Sequence, residues 1–262
     1  MESGQTGVEE QVEKKVAYEN PLMSNEMLRR IHAYMVECRA EASVASGLEA
    51  IEVATLVHLK PEDTIAPIGK QWIAAKIGSS PLRRMMVEIF PDMLHQPVPK
   101  VVVGNRLATG AVGVATGVAF AYKMQGLGSA VVVFGDRAIL GRGNGALMEF
   151  AGERKLPILY VVETNLGDEI PPSSIQKVDD ETNATAAKCG FPSISVDGHD
   201  AVAVYRVVQE AIARARKGGG PTLVDCRTRR GQSRTTRQGG IDPVLHMEQY
   251  LSKRGLSLRI VS

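Results

Sequence analysis

Residues 130–165 read AVVVFGDRAILGRGNGALMEFAGERKLPILYVVETN, and the organisation of the chain is legible in that stretch. Residues 130–134 are a continuous run of β-branched and apolar side chains without alternation, the pattern of a strand buried on both faces. Gly135-Asp136 ends the run. Residues 145–154 have helical spacing, and Lys155-Leu156-Pro157 stops that helix. Residues 157–163 are a second strand, apolar without alternation up to Val162. A strand, a helix and a strand of these lengths predict a right-handed crossover between parallel neighbours.

The same rhythm continues outward. Downstream, the spacing predicts a helix over 179–189, a strand over 193–196, a long helix over 200–217 and a strand over 221–227. Upstream, 101–103 is a short β-branched run, and 110–124 is a helix of small apolar residues that must pack closely. Earlier helices are predicted over 80–90, stopped by Pro91, and over 43–59. Ser24 or Asn25 caps a further helix in which Met27, Leu28, Ile31, Tyr34 and Met35 recur at spacings of three and four. Residues 1–22 are polar and unpatterned, which predicts a flexible arm. Residues 23–262 are expected to form one α/β domain, a doubly wound, mostly parallel sheet with helices on both faces. The tail from Arg254, with Leu256, Leu258, Ile260 and Val261, is expected to add an edge strand.

Composition excludes several classes. No apolar run approaches the ~20 residues that span a bilayer. Thirty-one basic against 29 acidic residues leave a net charge of +2, too little to drive nucleic-acid binding. The 3 cysteines, Cys38, Cys189 and Cys226, are far apart and form no Cys-x-x-Cys pair, which fits a reducing compartment. No secretory leader is visible in MESGQTGVEEQVEKK, so a cytoplasmic location is expected.

In open parallel sheets, ligands bind at the carboxyl ends of the strands. The strands predicted over 130–134 and 157–163 lead into Asp136 and Asn165. The crossover places these ends side by side across one crevice. A carboxylate and an amide oxygen are hard ligands suited to Mg²⁺ or Ca²⁺.

The segment from Gly135-Asp136-Arg137 to Glu163-Thr164-Asn165 resembles the thiamine-diphosphate motif, which opens with Gly-Asp-Gly and ends with Asn-Asn. It is most similar to the alpha subunit of the decarboxylating component of 2-oxo acid dehydrogenase complexes. GLEAIEVA at 47–54, the small-residue stretch 107–126 and Ser195-Val196-Asp197-Gly198-His199-Asp200 before the long helix resemble the same subunit. The likeness runs from roughly residue 25 to 235. It implies a thiamine-diphosphate-binding fold, with Mg²⁺ held by the Asp136 carboxylate, the Asn165 amide oxygen and the Gly167 carbonyl. Gly135, Asp136, Arg137, Asn165 and Arg230 would contact the cofactor. The implied reaction is oxidative decarboxylation of a 2-oxo acid, with a beta subunit completing the active site and a lipoyl-bearing acyltransferase receiving the acyl group. Homo- or hetero-oligomers follow from the same resemblance, and the small-residue helix suits either a subunit contact or tight internal packing.

The chain departs from the family pattern at named places. Arg137 stands where the family has glycine, and Thr164 replaces the first Asn of the pair. Ile65-Ala66-Pro67-Ile68-Gly69-Lys70 lacks the family's Tyr-Arg pair. Arg230-Gly231-Gln232-Ser233 lacks both histidines of the His-x-His-Ser loop, and Gln232 cannot exchange protons near neutral pH as histidine does. Arg227, Arg229, Arg230, Arg234 and Arg237 either clamp an anion in that loop or form a solvated basic surface. Glu49 is expected to serve packing or a local ion pair, with the role of the early-helix glutamate that faces the cofactor pyrimidine in related folds as the alternative, and His199 a local hydrogen bond in its turn. Three functions stay open: a catalytic alpha-type subunit, a degenerate non-catalytic relative acting as a binding module, and a split transketolase-like subunit.

Overall fold

The structure, a computed structural model, describes residues 23–40, 47–68, 100–101, 108–167, 172–229 and 241–256. Among the described residues, six parallel strands form one sheet: β1 (Thr64–Pro67), β2 (Lys100–Val101), β3 (Val131–Asp136), β4 (Ile158–Asn165), β5 (Ser193–Asp197) and β6 (Thr222–Thr228). Their order is β2-β1-β3-β4-β6-β5. The chain moves from β1 outward to β2, then returns past β1 to β3. The topological switch therefore lies between β1 and β3, beside the end of β3 that carries Asp136.

Helices cover both faces. One face carries α1 (Asn25–Ala40), α2 (Glu49–Leu56), α6 (Ala201–Arg216) and α7 (Pro243–Lys253). The other carries α3 (Ala108–Met124), α4 (Gly145–Glu153) and α5 (Pro172–Lys188). Strand residues alternate between the two cores. Val132, Phe134, Leu159, Val161, Val224 and Cys226 join the α1/α2/α6/α7 core. Val131, Val133, Ile158, Tyr160, Val162 and Leu223 join the α3/α4/α5 core. Both sets are fully buried, so the strands lack the polar-apolar alternation of a half-exposed sheet.

The helix ends follow their capping chemistry. The Ser24 hydroxyl accepts the Met27 N–H at 3.1 Å, which starts α1. Asp200 accepts from Val202 and Ala203 to start α6. Asp242 does the same for α7 through Val244 and Leu245, with Pro243 at the first helical position.

The two strands and the helix expected within 130–165 are present, β3 and β4 are parallel neighbours, and the fold is α/β with helices on both faces. Several boundaries differ. The helix expected over 43–59 is Glu49–Leu56 where it is described, because Gly47 takes the left-handed conformation (φ 100°) and its N–H binds the Glu49 carboxylate. The helix expected from 179 begins at Pro172. β1 and α7 are additions to the elements expected from sequence. In α3, Ala111, Ala115 and Ala119 are buried, the last two in the α3/α4/α5 core, whereas Gly110, Val114 and Gly117 are exposed, so internal packing accounts for the alanines only. The expected arm over 1–22, the helix over 80–90, residues 102–103 of the strand expected over 101–103, and the tail beyond 256 lie outside the described residues.

Candidate functional site at the carboxyl ends of β3 and β4

β3 and β4 are hydrogen-bonded neighbours, with Asp136 opposite Glu163. Asn165 lies two residues further along β4. From about 4.8 Å between strands and about 3.3 Å of rise per residue, the Asp136 and Asn165 Cα atoms stand about 8 Å apart. Partners opposite each other in a parallel pair share a face, and so do residues two apart on a strand. Asp136, Glu163 and Asn165 therefore project toward the α1/α2/α6/α7 face, while Thr164 and Asp225 project toward the other. The hydrogen bonds agree: the Thr228 hydroxyl donates to Glu163 at 2.8 Å, and the Thr164 hydroxyl donates to Asp225 at 2.5 Å.

Both candidate ligands are exposed at the rim. Asp136 Oδ1 accepts the Ala138 N–H at 2.8 Å and caps the short 3₁₀ turn Arg137–Leu140. Asn165 Oδ1 accepts the Gly167 N–H at 3.1 Å. Gly167 takes φ +59°, a left-handed conformation that glycine adopts without strain. These bonds orient a carboxylate and an amide oxygen at one rim. The donor set is hard oxygen, which fits Mg²⁺. Among the described residues, no three His, Cys, Asp or Glu side chains are grouped to hold a metal. A cation here would rest on one carboxylate with amide and carbonyl oxygens, the rest coming from ligand and water.

Gly135 is glycine for a packing reason. A Cβ on it would stand 2.8 Å from Ile139 Cδ1 and 3.1 Å from Ile68 Cβ. Arg137 turns away from the rim. Its guanidinium donates to the Thr182 hydroxyl at 2.9 Å and to Glu181 at 3.3 Å, both on α5. It therefore does not fill the space between Asp136 and Asn165. Arg227 pairs with Asp179 of α5 and sits 3.7 Å from the buried Asp225. Burial pushes the Asp225 carboxyl above its ordinary value, opposed by the Thr164 hydrogen bond and by Arg227 and Arg137. Arg230, with Arg234 and Arg237, lies outside the described residues.

A cavity of about 270 Å³ opens beside this rim at the ends of β5 and β6, lined by Leu166, Asp197, His199, Arg227, Thr228 and Ile241 among others. It borders Leu166 without reaching Asp136. His199 is buried, and its Nε2 accepts the Arg229 N–H at 2.8 Å, which puts the proton of the neutral ring on Nδ1. The side-chain bond of His199 is thus not the local one expected: it ties the turn to the residue after β6. Glu49 is fully buried and is held by Arg39 at 3.0 Å and by the Gly47 N–H at 2.8 Å, the local ion pair expected of it. Sequence reading missed the third member of that group. Arg39 also reaches Asp242 at 2.7 Å, and only the Asp242-Pro243 helix start gave any signal of it.

The dehydrogenase E1 component model matches residues 26–237. The subunit alpha of acetoin:2,6-dichlorophenolindophenol oxidoreductase from Bacillus subtilis is 32% identical over 201 residues, covering 71% of this chain and 60% of that protein. The chloroplastic pyruvate dehydrogenase E1 component subunit alpha-3 of Oryza sativa is 29% identical over 251 residues, covering 81% of this chain and 58% of that one. The pyruvate dehydrogenase E1 component subunit alpha of Staphylococcus aureus is 30% identical over 210 residues, with 76% and 54% covered. The chain thus spans between 54% and 60% of the length of these relatives.

Proposed function

The chain belongs to the dehydrogenase E1 component family, and on that basis we propose that it is an alpha-type subunit that holds the Mg²⁺ of thiamine diphosphate at the rim of β3 and β4. The observation that carries this reading is the placement of Asp136 and Asn165. They stand on the same face of adjacent parallel strands, each oriented by a backbone N–H of its own loop. The Asp136 carboxylate, the Asn165 amide oxygen and the Gly167 carbonyl would hold the ion. Gly135 lets β3 close against Ile68 and Ile139 so that Asp136 emerges at the switch between β1 and β3. Arg137 follows Asp136 but is bonded to α5 and not to the ligand space, and Arg230 belongs to the stretch that family resemblance places over the cofactor. When bound, thiamine diphosphate supplies a nucleophilic carbon and an electron sink for decarboxylation of a 2-oxo acid.

A beta subunit would complete the site, a lipoyl-bearing acyltransferase would take the acyl product, and the assembly would be a homo- or hetero-oligomer in the cytoplasm. The loop residue Gln232 replaces a group that exchanges protons near pH 7, so turnover with pyruvate or branched 2-oxo acids is expected to be weak or altered. The test is turnover with the native beta subunit and an artificial electron acceptor, for the wild type and Asp136→Ala. Turnover abolished in Asp136→Ala supports the proposal. Full turnover in Asp136→Ala sinks it.

A second reading has its own support. Among the described residues near the rim, Arg137 and Arg227 are both engaged with α5 acids, so neither offers its charge to a diphosphate. A non-catalytic binding module is consistent with that arrangement. It predicts no thiamine-diphosphate binding even with a beta subunit present. The split transketolase-like alternative finds no such support.

A further inference from the structure

Each candidate metal ligand has a chain neighbour anchored on the opposite face of the sheet. Arg137 follows Asp136, and Thr164 precedes Asn165. Thr164 donates to Asp225, which is fully buried. Arg227 Nε stands 3.7 Å from the other Asp225 oxygen, and the same guanidinium pairs with Asp179 of α5. Arg137 donates to Thr182 and Glu181, also on α5. Three acids and two guanidiniums are thereby joined across β3, β4, β6 and α5. A buried carboxylate is costly unless its partners are held in place, so such a network fixes geometry more than it adds stability.

Apolar burial does little to seat α5. Among its described side chains only Thr182 and Ala186 are buried, against eight buried residues in α6. The docking of α5 thus depends on these polar links, with Asn183 bonded to Ser193 at 2.5 Å and Lys188 paired to Glu149 at 2.9 Å beside them.

We propose that the Asp225-centred network is a positioning device for the rim: by drawing Thr164 and Arg137 to the α5 side, it holds Asn165 and Asp136 with their oxygens turned to the other side. Arg137 is then a positioning residue and not a phosphate ligand. The consequence for metal affinity rests on the function proposed above, whereas the geometry does not. Groups that orient ligands from behind commonly govern metal affinity by tenfold or more.

The Ala138 and Gly167 amides report the two side chains with no ligand present, since they donate to Asp136 and Asn165. Solvent exchange measured by NMR on the full chain is expected to be about tenfold faster at Gly167 in Thr164→Val and about tenfold faster at Ala138 in Arg137→Gly, as loss of an orienting bond to a charged group predicts. Thr164→Ser keeps the hydroxyl and the wild-type rate. Mn²⁺ binding with inorganic pyrophosphate, read by electron paramagnetic resonance, is expected to weaken about tenfold in Thr164→Val and Arg137→Gly but not in Thr164→Ser. Unchanged Ala138 and Gly167 rates overturn the positioning role. A wild type that binds no Mn²⁺ under these conditions overturns the function and leaves the exchange rates to decide the network. If Thr164→Val unfolds the sheet, the Ala138 rate in Arg137→Gly decides, because that substitution removes a side chain that is 34% exposed.

Discussion

Single side chains in this molecule carry opposite loads according to burial. Burial pulls the His58 imidazole down to about 4, and Arg216 acts in the same direction against the hydrogen bond that Nε2 donates to the Tyr205 carbonyl at 3.0 Å. The ring is neutral when folded and titrates near 6.5 when unfolded. A depressed base contributes stability that is fully present above the unfolded value and is lost as pH falls from about 6.5 toward about 4. The loss amounts to at most about 3 kcal/mol. His58→Gln, which can still donate to Tyr205, should flatten that part of the profile. Urea midpoints between pH 7.5 and 4 check it: a variant that loses as much stability as the wild type over this range would contradict the assignment. Asp136 and Asn165 were legible as residues because each follows an apolar strand at its carboxyl end. The partner of Arg137 was not, because Thr182 comes near it only through the packing of α5, 45 residues away.

Between elements, Arg39 joins α1 to α2 and α7 through Glu49 and Asp242. Glu49 is fully buried, so removing its guanidinium strands a charge. Arg39→Ala is expected to cost about 3 kcal/mol, seen as a drop of roughly 6–10 °C in Tm. Adding Glu49→Gln should recover part of the loss, and no recovery would place the effect elsewhere. α4 crosses the turn after α5 at Gly152, where a Cβ would collide with the Cys189 carbonyl oxygen. Gly152→Ala should therefore destabilise by about 2 kcal/mol despite alanine's higher helix propensity. Thermal melts of the variant decide the sign. The elements themselves were legible wherever an apolar run or a helical period was long. β1 escaped because it has four residues and contains Pro67. Among the described residues its ladder to β2 covers Thr64 and Ile65, and its ladder to β3 runs from Thr64 to Pro67. α7 escaped because a basic, unpatterned stretch of sequence precedes it, although Asp242-Pro243 is a helix start written in the sequence.

For the whole molecule, the parallel order β2-β1-β3-β4-β6-β5 explains why two residues of one crossover share a rim beside the switch point. The doubly covered sheet was legible from unalternating strands. The rim's rear network was not, because it is assembled from β3, β4, β6 and α5, which meet only in the folded chain. Family membership and a hard-oxygen rim converge on one proposal, that Asp136 and Asn165 hold a metal-bound diphosphate. Calorimetric titration of thiamine diphosphate into the full chain with its beta subunit, with Mg²⁺ and with Mg²⁺ removed by chelation, tests it at the site itself. Saturable binding that requires Mg²⁺ and weakens at least about tenfold in Asp136→Ala and in Asn165→Ala is the expected outcome. Binding indifferent to Mg²⁺ and to both substitutions, or no binding at all, would refute it.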